Sequence, residues 1–201
     1  MPSLPSRAHL RPVEPLHGLG DGVPDGDLVV RARGGDGWAL EMLYRRHVQL
    51  VAATALRLLR HRADAEDVVQ ESFLIAFERL DQLAEPAAFR GWLVRIAVSR
   101  VHRRYRFRKL FPWRRESSTE EVTLEMEAAE GSTPEQRAEL ALLDRALATL
   151  PLDLRTAWVL RHVLGCSIEE TATACGCSLA TIKRRISAAG DVVQSHLEGA
   201  R

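Results

Sequence analysis

Apolar residues recur along this chain at spacings of three and four, the mark of helices that each bury one face. From Asp27, the residues Leu28, Val29 and Ala32 open a short helical segment that Gly34 and Gly35 break, and Ala39, Leu40, Leu43, Val48, Val51 and Leu58 resume the pattern. In the next segment Val69, Phe73, Ala76 and Leu80 point one way, while Asp67, Glu71, Leu74 and Glu78 form a second stripe. Phe89, Trp92, Leu93, Ile96 and Ala97 bury one face of a further helix, whose apolar stripe is expected to end near Val101. The pattern restarts at Pro134, behind a candidate cap at Thr133, with Ala138, Leu142, Ala146 and Leu150 as the expected buried stripe and Pro151 as its stop. Leu154 to Leu164 makes another helix, and Gly165 breaks the chain. Ser167-Ile168-Glu169-Glu170 then reads as a capping box for a short helix closed by Gly176, and Ser178 caps a last helix. No strand alternation and no repeat is present. The expectation is an all-α chain of two small helical domains.

Composition sets the boundaries. Residues 1–26 are rich in Pro and Gly and are predicted to be a disordered arm; 27–111 form the first domain, 112–133 a flexible acidic linker and 134–198 the second domain. Charge is segregated in a way that the formal net charge of +1 conceals. Arg95, Ser99, His102 and Arg106 share a helix face, Arg100, Arg103, Arg104, Arg108 and Lys109 surround the end of that helix, and the carboxylates Glu116, Glu120, Glu121, Glu125, Glu127 and Glu130 follow. A cationic rod with Tyr105 and Phe107 among its guanidinium groups suits a polyanion, and single-stranded or melted nucleic acid in particular; the plainer alternative is a solvated surface helix. The acidic linker is placed to fold back over Arg100 to Lys109 and mask them.

A short helix, a tight turn at Gly176 and a second helix with basic residues near its start is the layout of a helix-turn-helix reader. Leu179, Ile182 and Ile186 are expected to grip the preceding helix, leaving Ser178, Ala180, Thr181, Lys183, Arg184 and Arg185 toward a major groove. A generic helical hairpin has the same spacing. The stripe carrying Leu74 among carboxylates suits protein docking, although acidic residues early in a helix also complement its dipole. Cys166, Cys175 and Cys177 lack zinc-knuckle spacing and read as reduced thiols in a cytoplasmic protein, with a metal or disulfide switch as the alternative. No metal, cofactor or small-molecule substrate is predicted, nor a catalytic residue: no Gly-rich phosphate loop or metalloprotease His-Glu pair occurs. No apolar run is long enough to span a bilayer, so no membrane association is expected.

Three stretches in this order, Asp64-Ala-Glu-Asp-Val-Val-Gln-Glu-Ser-Phe-Leu, Phe89-Arg-Gly-Trp-Leu-Val-Arg-Ile-Ala and Leu150-Pro ahead of Cys177-Ser-Leu-Ala-Thr-Ile-Lys-Arg-Arg, resemble a bacterial extracytoplasmic-function (ECF) sigma factor of the sigma-70 family. The resemblance covers roughly Asp27 to Leu197. It implies a non-enzymatic initiation subunit in which Asp64, Asp67, Gln70, Glu71 and Leu74 dock on core RNA polymerase. It also implies that the loop Asp81–Ala88 and Arg95, Ser99, Arg100, His102, Arg103, Arg104 and Arg106 open and hold the −10 element, with a base flipped into the loop. The second domain would read the −35 element of promoter DNA through its helix-turn-helix, and an anti-sigma factor is implied as a further partner. Two departures stand out: Ala188, Ala189, Gly190 and Asp191 lie where the family usually continues with basic residues, and Thr171 and Thr173 replace aliphatic side chains. A stand-alone helix-turn-helix regulator without polymerase contact is the competing expectation.

Overall fold

The structure, a computed structural model, describes residues 22–110 and 133–198. Among these residues all regular structure is helical, in the order α1 (Asp25–Arg33), α2 (Gly37–Leu59), α3 (Arg62–Glu78), α4 (Phe89–Leu110), α5 (Pro134–Thr149), α6 (Leu152–Trp158), α7 (Ile168–Cys175) and α8 (Leu179–Glu198). Single 3₁₀ turns at Leu80–Gln82 and Pro86–Ala88 join α3 to α4, and a π turn at Val159–Val163 continues α6. The first segment thus begins at Asp25 rather than Asp27. The acidic segment expected to cover the basic helix lies outside the described residues, as does most of the N-terminal arm.

Local signals explain the breaks. Asp36 caps α2 by accepting from the amides of Trp38 at 3.0 Å and Ala39 at 3.3 Å. Arg31 donates to the same carboxylate at 2.8 Å and holds its pKa below the usual aspartate value. Gly35 takes φ +87° in the turn ahead of that cap. His61 caps α3 with its imidazole, accepting from the Asp64 amide at 3.2 Å. The predicted capping box at Ser167 and Glu170 is formed, at 3.0 and 2.7 Å, and Gly176 ends α7 in the left-handed region.

In the leading module α1 to α4 enclose a core in which Leu28, Val29, Leu43, Val51, Phe73, Phe89, Leu93 and Ala97 are buried. Phe73 meets Tyr44 edge-on with ring centroids 4.7 Å apart. A second cluster crosses between modules: Ala55, Leu58, Leu59, Ala65, Val68 and Val101 pack with Ala146, Leu147, Leu150, Leu152, Val159, Ala189 and Val193. A third joins Val94 and Val98 of α4 to Leu160, Cys166 and Ala174.

These seams correct three expectations. The buried residues of α4 end at Val101 as expected, but they occupy two faces and not one: Val94, Val98 and Val101, with the half-buried Tyr105, form a second face against the trailing module. Among the described residues of α5 the buried ones are Asp144, Ala146 and Leu147, followed by Leu150 just beyond its end, whereas Ala138 is exposed; that helix packs partly across the seam and not only within its own domain. Leu179 is 46% exposed, so Ile182 and Ile186 grip α7 without it.

Leu93 is fully buried and Leu74 is 61% exposed. Leu93→Ala should lower unfolding free energy by about 2–5 kcal/mol, and Leu74→Ala should leave it within about 0.5 kcal/mol, both read from urea denaturation.

Candidate nucleic-acid interface

The α4 helix presents its basic side chains in two ways. Arg95, Ser99, Arg103 and Arg106 are exposed, and Arg100 is half-buried. Arg104 and Arg108 instead turn toward the start of α3. Arg108 donates to Asp64 at 2.8 Å, while Arg104 lies 3.6 Å from Asp64 and bonds Asp67. The expected cationic rod is therefore partly neutralised by carboxylates from a neighbouring helix, which α4's own sequence does not contain. Phe107 is 41% exposed, whereas Tyr105 is taken up by the seam.

His102 faces the trailing module. Its Nε2 is 3.2 Å from Thr156 Oγ1 and its Nδ1 3.6 Å from Asp153 Oδ1. Burial holds the imidazole below the ordinary histidine range; Asp153 pulls the other way, and Arg106 and Arg185 add to the lowering. Arg185 of α8 donates to the same Asp153 at 2.8 Å. It therefore does not project freely as the helix-turn-helix pattern suggested, because α6 supplies a carboxylate beside it. Ser178, Ala180, Lys183 and Arg184 are exposed, and Thr181 is half-buried. The Ser178 hydroxyl accepts from the Thr181 amide at 3.2 Å, so the α8 cap is formed.

On α3, Gln70, Glu71 and Leu74 are exposed along one stripe, with Asp67 also on the surface and Asp64 largely enclosed by Arg104, Arg108 and His61. The stripe joins an apolar side chain to carboxylates, and among the described residues no helix packs over Leu74. Arg95 shares a cleft with Gly176, Cys177, Ser178 and Leu179, so the basic face of α4 and the start of α8 stand side by side.

Sequence patterning missed the polar groups that close the seam. Arg155, 7% exposed, donates to the Leu58 carbonyl across the seam at 3.3 Å and to the Ala148 and Leu150 carbonyls at 2.9 and 3.1 Å. Arg60, in the left-handed region at φ 56°, bonds the Asp144 carboxylate at 2.9 Å and its carbonyl at 3.1 Å. Arg90 reaches Glu170 at 3.2 Å. A buried arginine has no periodicity of its own to reveal it; the one available signal was the burial of its neighbours Leu152 and Ala157.

The two modules coincide with two family matches: Sigma-70 region 2 over residues 43–110 and Sigma-70 region 4 over residues 140–189. The chain is 32% identical over 191 residues to the ECF RNA polymerase sigma-E factor of Escherichia coli K12, covering 90% of this chain and 97% of that one. It belongs to the ECF sigma factors of the sigma-70 family. The RNA polymerase sigma-H factor of Pseudomonas aeruginosa is 30% identical, over 87% of this chain and 94% of its own length. Among solved structures, CnrH in complex with the cytosolic domain of CnrY matches 88% of this sigma factor and 99% of that chain, with TM-score 0.65 and 27% identity. RpoE from Bartonella quintana in complex with the anti-sigma factor NepR matches 80% and 98%, with TM-score 0.64 and 26% identity.

Burial accounts for two of the cysteines and for the departures at Thr171 and Ala189. Cys166 is buried in the seam, and burial first, then the neighbouring Cys177, pushes the Cys175 thiol up to about 12, so it stays protonated. Ala189 is fully buried within the cluster shared by the modules, so a small apolar residue there serves packing. Thr171 is likewise buried, its hydroxyl donating to the Ser167 carbonyl at 2.6 Å. Among the described residues no helix is long and apolar enough to cross a membrane.

Because His102 binds a proton less readily inside the seam, apposition of the modules is fully supported above the ordinary histidine pKa and weakens as pH falls below it. Lowering the pH from about 7.5 to 5.5 should expand the sigma factor, read as a larger radius of gyration in solution scattering. His102→Gln should flatten that dependence.

Proposed function

We propose that this sigma factor binds core RNA polymerase through the α3 stripe and reads promoters with two surfaces, one for melted −10 DNA and one for duplex −35 DNA. The observation that carries this is the pairing of an exposed leucine, Leu74, with flanking carboxylates on one helix, while exposed arginines lie on α4 and α8. Asp64, Asp67, Gln70, Glu71 and Leu74 make the polymerase contact. Leu74 supplies the desolvated anchor and the carboxylates orient it against a basic partner.

At the −10 element, Arg95, Ser99, Arg100, His102, Arg103, Arg104 and Arg106, with the loop Asp81–Ala88, hold an opened strand. Guanidinium groups neutralise phosphates, and the loop's polar edges read an extruded base. At the −35 element, the amides at the start of α8 receive a phosphate, and Ser178, Ala180, Thr181, Lys183, Arg184 and Arg185 face the major groove. The factor performs no covalent chemistry; it supplies binding energy to strand opening.

The closed arrangement bears on how this happens. His102, Arg104 and Arg185 are engaged within the chain, and so are Asp64 and Asp67. Polymerase and promoter therefore compete with internal partners: separating the modules frees His102, whereas Arg104 and Arg185 must each leave a carboxylate of their own module. An anti-sigma factor would act by favouring the closed state or by covering the same surfaces. The two solved relatives above are described in complexes, CnrH with CnrY and RpoE with NepR.

Run-off transcription with core polymerase on a library of promoter fragments tests the reading, and start-site selection that depends on this chain is the expected result. DNA binding without any effect on polymerase would establish a stand-alone regulator instead. Leu74→Glu should abolish association with core polymerase while preserving helical content. Arg184→Ala should weaken promoter binding and reduce the salt slope by roughly one.

A further inference from the structure

The loop between α3 and α4 is built from two sides. Its inner residues Leu80 and Leu83 are 4% and 6% exposed and belong to the same core cluster as Leu28, Val29 and Ala32 of α1. Its outer residues Asp81, Gln82, Ala84, Glu85, Ala87 and Ala88 are exposed, with the Asp81 side chain 88% accessible. Such a loop offers polar edges to a ligand only while its inner backbone is held in place.

The α1 helix holds it at both ends. From the last turn of α1, the Arg33 guanidinium donates to the Leu80 carbonyl through Nε at 3.2 Å and Nη2 at 3.0 Å, and to the Leu83 carbonyl through Nη2. Its Nε also lies 4.0 Å from the Asp81 carboxylate. The planar guanidinium holds both carbonyls in one fixed geometry, which a rotating ammonium on a flexible stem does not impose. In the first turn of α1, Gly26 runs against the other end of the loop: a Cβ there would stand 3.4 Å from the Ala87 nitrogen and 3.6 Å from its Cα. The helix itself is tied to α2, since Asp25 bonds His47 at 2.7 Å and also pairs with Arg46.

We propose that α1 is a brace that keeps this loop in its DNA-reading shape before DNA arrives, with Arg33 as its positioning residue. The inference rests on the −10 reading above and extends it to a helix outside the family match that begins at residue 43. Arg33 touches no DNA in this account. It keeps the carbonyls of Leu80 and Leu83 turned inward, so that Asp81, Gln82 and Glu85 stay aimed outward and base selection needs no loop ordering on binding.

Two measurements on the full chain test it. In the free protein, hydrogen exchange at the amides of Gln82, Leu83 and Ala88 should speed up about tenfold or more in Arg33→Ala, and less in Arg33→Lys. In holoenzyme, discrimination between matched and mismatched bases on fork-junction templates should fall by roughly ten- to a hundredfold at the loop-contacted position in Arg33→Ala, with partial recovery in Arg33→Lys. Gly26→Val, which crowds Ala87 while leaving Arg33 in place, should reproduce both effects. Affinity for core polymerase and the discrimination at other positions should hold in all three variants. Unchanged exchange in Arg33→Ala overturns the brace. Equal loss at every position together with lost polymerase affinity also overturns it, as general unfolding. If the unaltered chain discriminates no base, the −10 reading fails instead, and the exchange measurement alone then decides the brace.

Discussion

The apolar seam between the two modules is the constraint on which the rest of this structure depends. Leu58, Val68 and Val101 on one side and Leu147, Leu150, Val159 and Val193 on the other are each nearly or wholly withdrawn from water, and neither module covers its own set alone. Burial of this kind has no direction, so the register is set by polar groups at the margin. Arg155 reaching the Leu58 carbonyl and Arg60 paired with Asp144 are two such fixed points. An arginine enclosed this way would be costly without partners, so these contacts select one docking geometry rather than add much to its strength.

That geometry explains a charge distribution which looks wasteful in one dimension. Arg104 and Arg108 turn to Asp64 and Asp67, and His102 and Arg185 turn to Asp153, so groups suited to DNA or polymerase are satisfied by one another when neither is bound. These pairs are partly exposed, where each contributes little to stability. Weak internal partners are what an exchangeable surface requires: they limit unproductive contact with other polyanions yet yield to a phosphate backbone that presents many charges together. Arg95, Arg103, Arg106, Lys183 and Arg184 are exposed and, on the proposed function, would make the first encounter.

How much of this was legible in the sequence follows from the range of each interaction. The helices, the Ser167–Glu170 box, the Gly176 stop and the exposed Leu74 stripe are set within a few residues of chain, and periodicity or capping chemistry displays them directly. Val94, Val98 and Tyr105 could not be assigned by the same logic, because α4 buries two faces and its second partner is the trailing module. Ala138 was misplaced for the related reason that α5 turns Asp144 and Leu147 inward, toward a surface supplied by another domain. Arg185 looked available because Asp153 lies on a different helix. Each gap in the sequence reading is a contact between segments far apart in the chain.

The seam and the α1 brace divide the molecule into a part that must exchange and a part that must not. Separation of the modules would uncover Val94, Val98 and Val101 and break the contacts of His102, while Phe89, Leu93 and Ala97 on the adjoining face of α4 belong to the leading core. The inner face keeps its packing against α1 and α2 throughout, and with it the loop that Arg33 and Gly26 flank. A strand-opening surface benefits from that arrangement. Opening DNA is already unfavourable, so a loop that also had to fold at that moment would add its own ordering entropy to the barrier. On the proposed function, a seam that yields beside a leading module that stays rigid would let binding energy from polymerase be spent on the first while the second waits ready.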